Sequence, residues 1–164
     1  MIQIFLKELE NESKTTRKML ERIPQDSFGW KPHEKSMTVQ RLATHIADLP
    51  NWITMGLTTD ELDFNSNNWK EPVINTNEEL MDFFESSVEK GKQSLLAGKE
   101  ETLDEQWVLR AGDQIYMTST KGELLRMSLN QIVHHRAQLG VFLRLLNIPI
   151  PGSYGPSADE LEFA

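Results

Sequence analysis

The stretch LNQIVHHRAQLGVFLRLLNIPIPG, residues 129–152, decides the fold of this chain. Its leucine-rich pattern is typical of an amphipathic helix, and it predicts a helix 4 that runs from about Gly122 to Leu146 and stops before Pro149. Two adjacent histidines, an arginine and two glutamines interrupt that pattern. Burying such side chains in a core costs free energy unless they have hydrogen-bond partners. Their presence in this helix therefore needs a structural or chemical explanation.

Working back from this segment, the N-terminal region has the same period. Apolar residues from Ile2 to Ile23 recur at three- and four-residue steps, with one polar gap at Glu12 and Ser13. This pattern predicts helix 1, which ends before Pro24 because proline cannot continue a helix.

Helix 2 is predicted by apolar residues that repeat up to Ile53, with Thr38 or Ser36 as its N-cap. Pro50 lies inside the repeat and lacks a backbone N–H. We therefore expect a kink or a break near residues 46–49.

Between helices 2 and 4 the sequence changes character twice. Residues 59–75 are polar and turn-rich, which indicates a long crossover. Thr76 and Glu79 form a T-x-x-E capping box that starts helix 3. Residues 106–120 are rich in β-branched and aromatic side chains around a Gly-Asp pair, which predicts a short β-hairpin.

These elements favour an all-α fold over a sheet-based one. Four amphipathic helices with a long helix 2 to 3 crossover predict an up-down four-helix bundle, with the short hairpin before helix 4. The length suits one hydrophobic core, so we expect a single domain over residues 1–164.

The composition excludes several classes of protein. Seventeen basic against twenty-five acidic residues give a net charge of -8, which disfavours binding to a nucleic-acid backbone. No stretch approaches the roughly 20 apolar residues of a membrane span, and the acidic N-terminal segment lacks the features of a signal peptide. The absence of cysteine excludes thiolate ligands and fits a reducing compartment, so we expect a cytoplasmic protein.

Two helices each place a histidine among apolar residues. At about 100° per residue, His135 lies in the middle of the apolar stripe of helix 4, and Gln131 precedes it by four residues on the same face. His45 occupies the apolar face of helix 2. If these helices are neighbours, the three side chains converge on a mononuclear metal site with a position open to water or a small-molecule substrate. Asp48 would orient a ligand imidazole.

The plainer interpretation is that these histidines are core residues with ordinary hydrogen-bond partners. His134 points about 100° away from His135 and is expected to be structural or solvated. Arg136 is expected to lie at the rim or, more in keeping with its charge, to pair with the acidic C-terminal tail at Asp159 or Glu160.

Two motifs resemble the DinB family: WKPHEKSMTVQRLATHIADLPNWI at residues 30–53 and LNQIVHHRAQLGVFLRLLNIPIPGSYGPSADE at residues 129–160. The resemblance implies a four-helix bundle, often a homodimer. It also implies a divalent metal, usually zinc or nickel, held by one histidine of helix 2 and two histidines four residues apart on helix 4. These positions fall on His45, Gln131 and His135, and the glutamine is a departure, because an amide oxygen is a weaker ligand than imidazole for such metals.

The resemblance leaves two functions open. Some relatives are metal-dependent enzymes that use a low-molecular-weight thiol, which implies a thiol S-transferase or hydrolase acting on small electrophiles in a stress response. The alternative is a non-catalytic relative, in which a degenerate metal site remains and the bundle acts as a dimeric binding or interaction module. Gln131 is the residue that distinguishes the enzyme from the non-catalytic relative, because replacing a ligand imidazole by an amide harms catalysis more than it harms folding.

Overall fold

The computed structural model of the chain describes residues 1–66 and 72–161 and has four long helices and one small sheet. The helices are α1 (Ile2–Glu21), α2 (Val39–Thr58), α3 (Asn77–Ala97) and α4 (Lys121–Leu145). The strands are β1 (Glu61–Asp63), β2 (Gln106–Ala111) and β3 (Gln114–Thr120), and short 3₁₀ helices span Gln25–Ser27 and Glu100–Asp104. Part of the predicted crossover, residues 67–71, and the last residues of the predicted domain, 162–164, lie outside the described residues.

Side-chain caps fix where the later helices begin. Thr38 accepts a hydrogen bond from the backbone of Arg41, so of the two N-caps considered for α2 the threonine is the one used. The capping box predicted at Thr76 and Glu79 is confirmed. A second capping box, Thr120 with Glu123, starts α4 and was not predicted.

Pro50 does not break α2, so of the kink or break expected near residues 46–49 the break is wrong and the kink stays a prediction. The helix is continuous from Val39 to Thr58, with Pro50 buried inside it. The proline lies where α2 and α3 approach closely, since a Cβ on Gly91 would stand 3.0 Å from the Pro50 carbonyl oxygen. Burial against α3 thus offsets the hydrogen bond that the proline ring removes.

The four helices share one interior made of two apolar clusters. α1 and α2 each pack against α3 and α4. The first cluster includes Leu20, Leu42, Ile46, Phe84 and Leu139, and the second includes Phe5, Leu9, Leu49, Ile53 and Leu129. The helices keep polar outer faces, and within the described residues none is long and apolar enough to cross a bilayer. The up-down order of the bundle stays a prediction.

The predicted hairpin is confirmed as β2 and β3, which pair antiparallel. The sheet is larger than expected, because β1 pairs parallel to β2 and lies in the segment predicted as crossover. Arg110 of β2 supports this pairing through ion pairs with Glu61 and Asp63. Trp107 of β2 is fully buried, and its indole N–H donates a hydrogen bond to Thr59 at the end of α2. This side chain therefore packs the sheet against the helices. The fold is therefore mostly helical rather than all-α.

Candidate metal centre

The structure brings His45, Gln131 and His135 together at the edge between α2 and α4. The centroids of the two imidazole rings lie 4.7 Å apart, with the ring planes at 75° to each other. The Nε2 atom of His45 lies 3.3 Å from the Oε1 atom of Gln131. The predicted convergence of three side chains from two helices is thus observed, and their role as metal ligands stays a prediction.

The site lies closer to solvent than the sequence indicated. His45, Gln131 and His135 are all half-buried instead of sitting in the middle of the core. The deeply buried face of α4 is centred on other residues: Leu125, Leu129, Ile132, Arg136 and Leu139. Helical geometry puts His135 about 100° away from Arg136, so it faces α2 and the surface. An ion or a small molecule can reach the imidazoles from that side.

Gln138 holds the His135 ring. The Nδ1 atom of His135 lies 2.8 Å from the Oε1 atom of Gln138, one turn later in α4. An amide oxygen only accepts hydrogen bonds, so Nδ1 carries the proton and donates it. The neutral ring then keeps its lone pair on Nε2. A hydrogen bond of this kind fixes the tautomer and orientation of metal-binding histidines.

Burial lowers the pKa of His135, and the neighbouring His45 and His134 rings lower it further, while the hydrogen bond to Gln138 raises it. The ordinary pKa of 6.5 is thereby displaced away from pH 7, and the neutral form dominates there. A metal ion binds only the neutral imidazole, so the environment prepares this side chain for coordination.

The described hydrogen bonds of Asp48 are made to Asn51 and Trp52, whereas the sequence predicted a bond to a ligand imidazole. Its carboxylate accepts hydrogen bonds from Asn51 Nδ2 at 3.0 Å and from Trp52 Nε1 at 3.3 Å. Asn51 also donates to Ser87 of α3 at 2.9 Å. These described bonds link α2 to α3, and the described side chain that contacts a site imidazole is Gln138. The role of Asp48 in orienting a ligand imidazole stays a prediction.

The spacing of the His45, Gln131 and His135 side chains suits one divalent ion, but their chemical types bind such an ion weakly. Two ligands at about 2.1 Å from one tetrahedral ion stand roughly 3.4 Å apart, close to the 3.3 Å between His45 Nε2 and Gln131 Oε1. Yet no group of three His, Cys, Asp or Glu side chains capable of holding a metal occurs in residues 1–66 and 72–161. The site therefore offers two imidazoles and one amide.

A cavity of about 640 Å³ opens beside the site. Gln131 and His134 form part of its wall, together with Arg126, Met127 and Phe5. His134 is exposed, in agreement with the prediction for this residue, but its ring centroid lies only 4.8 Å from that of His135. The cavity gives a small molecule a route to the edge of the site.

Arg136 of α4 is buried in the core, so the predicted rim position is wrong. The side chain of Arg136 is 3% exposed and lies 2.6 Å from the Glu12 carboxylate of α1. It also donates to the Glu12 carbonyl and to Thr16, and Tyr154 donates to Glu12 at 2.6 Å. The polar gap in helix 1 was the signal for this pair, because Glu12 interrupts one apolar face as Arg136 interrupts another.

The acidic tail predicted as the partner of Arg136 pairs with other arginines. Asp159 binds Arg144 and Glu160 binds Arg22. Arg136 reaches the tail through a 3.3 Å contact with Ser153 and through its guanidinium, which lies 5.7 Å from the centroid of the Tyr154 ring. The tail thus packs back over α1 and α4.

Fold and site together define a mostly helical protein with a histidine pair at the α2–α4 edge. The sequence model of the DinB family matches residues 1–162, and the chain belongs to that family. The Bacillus subtilis (strain 168) protein YrdA is 27% identical over 157 residues, which cover 95% of this chain and 89% of YrdA.

Solved structures agree with this assignment. A DinB-like protein from Bacillus cereus superposes with a TM-score of 0.71 at 22% identity, covering 92% of this chain and 95% of that one. A mycothiol-dependent maleylpyruvate isomerase superposes with a TM-score of 0.63 at 16% identity, covering 85% of this chain and 61% of the isomerase. At these identities the likeness concerns the fold.

Proposed function

We propose that this DinB-family chain binds one divalent metal ion, zinc or nickel, through His45, His135 and Gln131. The observation that carries the proposal is the 4.7 Å separation of the two imidazole centroids, which belong to different helices. Partial burial keeps the His135 ring neutral by lowering its pKa, and the hydrogen bond to Gln138 orients the ring. These features are what a metal-binding histidine needs.

The finer proposal is a thiol-dependent enzyme, a metal-dependent S-transferase or hydrolase acting on small electrophiles in a stress response. A bound divalent ion lowers the pKa of a thiol or a water in its open position, which makes a nucleophile at neutral pH. The chain would orient the imidazoles through Gln138 and admit the substrate through the cavity beside Gln131. Support comes from the mycothiol-dependent isomerase of the same fold, which is an argument by analogy.

The second candidate is a non-catalytic metal-binding or interaction module. It is favoured by one observation: an amide stands where a third imidazole would complete the donor set. An amide oxygen binds zinc or nickel more weakly than imidazole does. If the ion is bound weakly, the helical bundle still folds, but any metal-dependent reaction is slow.

Elemental analysis of protein purified without a nickel column tests metal binding. We expect about one zinc or nickel per chain in the wild type and a loss of metal in His135→Ala. His33→Ala is the matched control, because His33 is an exposed histidine in a connector. Metal-free wild type that also fails to take up added zinc would refute the proposal. Turnover of small electrophiles with added thiol then separates the enzyme from the binding module.

A cytoplasmic homodimer is the proposed state of the protein in the cell. Val141 and Leu145 support the dimer, because both are apolar, lie one turn apart on α4 and are 59% exposed. We expect Leu145→Glu to shift the sedimentation coefficient from that of a dimer to that of a monomer. A wild-type monomer at micromolar concentration would contradict the dimer.

A further inference from the structure

We propose that a second cavity, between α4 and the C-terminal tail, binds a small carboxylate that carries an apolar body. The tail contains PGSYGPSADE at residues 151–160, a motif to which the proposed metal site gives no role. The proposal does not depend on metal binding, because this cavity lies on another face of α4.

The cavity has a volume of about 590 Å³, and among the described residues it shares no lining residue with the cavity beside the histidines. Gly140 and Arg144 of α4 line it, five and nine residues after His135. At about 100° per residue, these two positions lie about 140° and 180° around the helix from His135. The cavity therefore opens on the far side of α4 from the histidine pair.

The tail forms the outer wall of this cavity and is held in place by its own hydrogen bonds. The Oγ of Ser157 donates to the Ile150 carbonyl at 2.7 Å, which closes the tail into a loop. The Tyr154 hydroxyl donates to the Glu12 carboxylate of α1 at 2.6 Å. These bonds leave open space between the tail and α4, where the apolar residues of the tail could otherwise pack directly on the helix. The cavity is therefore preformed.

Most of the cavity wall is apolar. Val133 and Ala137 of α4 face Ile150 of the tail across it. Val141 and Leu145, which support the proposed dimer, also line it, so a second copy bound there would cover the ligand. Cavities of about 300–1,000 Å³ with mainly apolar walls and a few polar groups are typical of sites for small organic molecules. The ligand therefore needs an apolar body, which displaces water from this surface.

The charged residues in the wall are both positive. They are Arg136 and Arg144, and the described lining residues include no aspartate or glutamate, although the chain has a net charge of -8. Arg136 is 3% exposed and already bound to Glu12. Arg144 lies at the rim, where its side chain is 44% exposed and pairs with Asp159. Arg144 is therefore the cation that a ligand can reach.

The Arg144 guanidinium can bind a carboxylate of the ligand. It has five N–H donors, and Asp159 accepts from its Nη1 and Nη2 atoms. An exposed ion pair of this kind contributes little to stability, so a ligand carboxylate can share the guanidinium or replace Asp159 at small cost. A neutral apolar molecule gains no such contact. The ligand class is therefore a monocarboxylate with an alkyl or aryl body.

Isothermal titration calorimetry of the full-length protein with octanoate, 1-octanol and acetate tests this assignment. Octanoate has both features of the ligand, 1-octanol keeps only the apolar body, and acetate keeps only the carboxylate. Arg144→Gln and Asp159→Asn break the same ion pair, but only the first removes the cation. Ala137→Glu adds a negative charge to the wall, and Ala97→Glu is its control, since Ala97 is an exposed alanine of α3 outside this cavity.

We expect one octanoate per chain, about tenfold or more weaker binding of 1-octanol, and no detectable binding of acetate. A hydrogen bond to a charged group contributes about this factor. Arg144→Gln should bind octanoate no better than 1-octanol. Asp159→Asn should keep the preference for octanoate, even where a looser tail weakens both ligands. Ala137→Glu should lose about tenfold or more in octanoate affinity, and Ala97→Glu should bind like the wild type.

Equal affinities of the wild type for octanoate and 1-octanol, or binding of neither, would overturn the proposal. Loss of the preference in both Arg144→Gln and Asp159→Asn would also overturn it, because Arg144 would then act only by holding the tail. These measurements need no metal ion, so the proposed metal site stands or falls separately.

Discussion

His135 and Arg136 are consecutive residues of α4, yet their side chains face different helices. Arg136 is buried against Glu12 of α1, at 2.6 Å, whereas His135 lies at the edge facing His45 of α2. Because Arg136 faces α1, helical geometry places His135 about 100° around α4, on the side that faces α2.

Breaking the buried pair should destabilise the protein strongly. Arg136→Ala leaves the Glu12 carboxylate buried without its cation, which costs about 3–5 kcal/mol. Urea denaturation measures the free energy of unfolding. The exposed pair of Arg17 and Glu85 is the control, and Arg17→Ala should cost less than about 1 kcal/mol. Equal losses in the two variants would show that burial does not distinguish these pairs.

Restoring the missing histidine should tighten metal binding. Gln131→His places an imidazole where the Gln131 oxygen lies 3.3 Å from His45 Nε2. Imidazole is the better ligand for zinc and nickel, so the Kd for Zn²⁺ should fall about tenfold or more. This is at least the change in affinity that a hydrogen-bond partner of a metal ligand usually contributes. Isothermal titration calorimetry measures it. An unchanged Kd would mean that residue 131 does not face the ion.

Gln138 should matter for the metal and not for the fold. Gln138→Ala frees the His135 ring to turn, and we expect a 10- to 100-fold weaker Zn²⁺ affinity, the usual cost of losing such a partner. Gln93→Ala is a matched control, because Gln93 is an exposed helical glutamine that donates to Glu89. If both variants bind Zn²⁺ equally well, Gln138 does not orient the ligand.

Acidification should release the C-terminal tail. The Arg144 guanidinium, followed by the backbone N–H of Ile150, holds the pKa of Asp159 below its usual 3.8. A carboxyl with a lowered pKa in the folded state stabilises the attached tail above its usual pKa, and this contribution is lost as the pH falls through the lowered value. The protection factor of the Ile150 amide, which NMR measures as the exchange rate relative to that of an unfolded peptide at the same pH, should therefore fall below about pH 3.8. Asp159→Asn should show little protection at Ile150 at every pH, and a well-protected amide in this variant would contradict the assignment.

Hydrophobic periodicity predicted the helices well, because each helix buries one apolar face. α1 begins and ends, and α3 begins, close to where the sequence placed them. β1 was missed because its three residues lie in a polar segment and are held by pairing to β2, which is distant in the chain. The break expected at Pro50 does not occur, because α3 packs closely against this part of α2. Packing between two helices cannot be predicted from the local sequence.

The sequence predicted which side chains lie together more accurately than how deeply they are buried, and their role as ligands stays a prediction. Spacing identified His45, Gln131 and His135, which do lie together. Periodicity alone could not separate the edge of the apolar stripe from its centre, so it placed His135 where Arg136 belongs. The Glu12 partner of Arg136 comes from a different helix, and only the packing of α1 on α4 shows it.

Anomalous diffraction at the zinc edge from crystals soaked in Zn²⁺ tests the central claim most directly. The account predicts one peak per chain between the imidazoles of His45 and His135, at about 2.0–2.1 Å from a nitrogen of each. A zinc peak bound elsewhere, or none at full soaking while the two rings still touch, would contradict a metal centre at the α2–α4 edge.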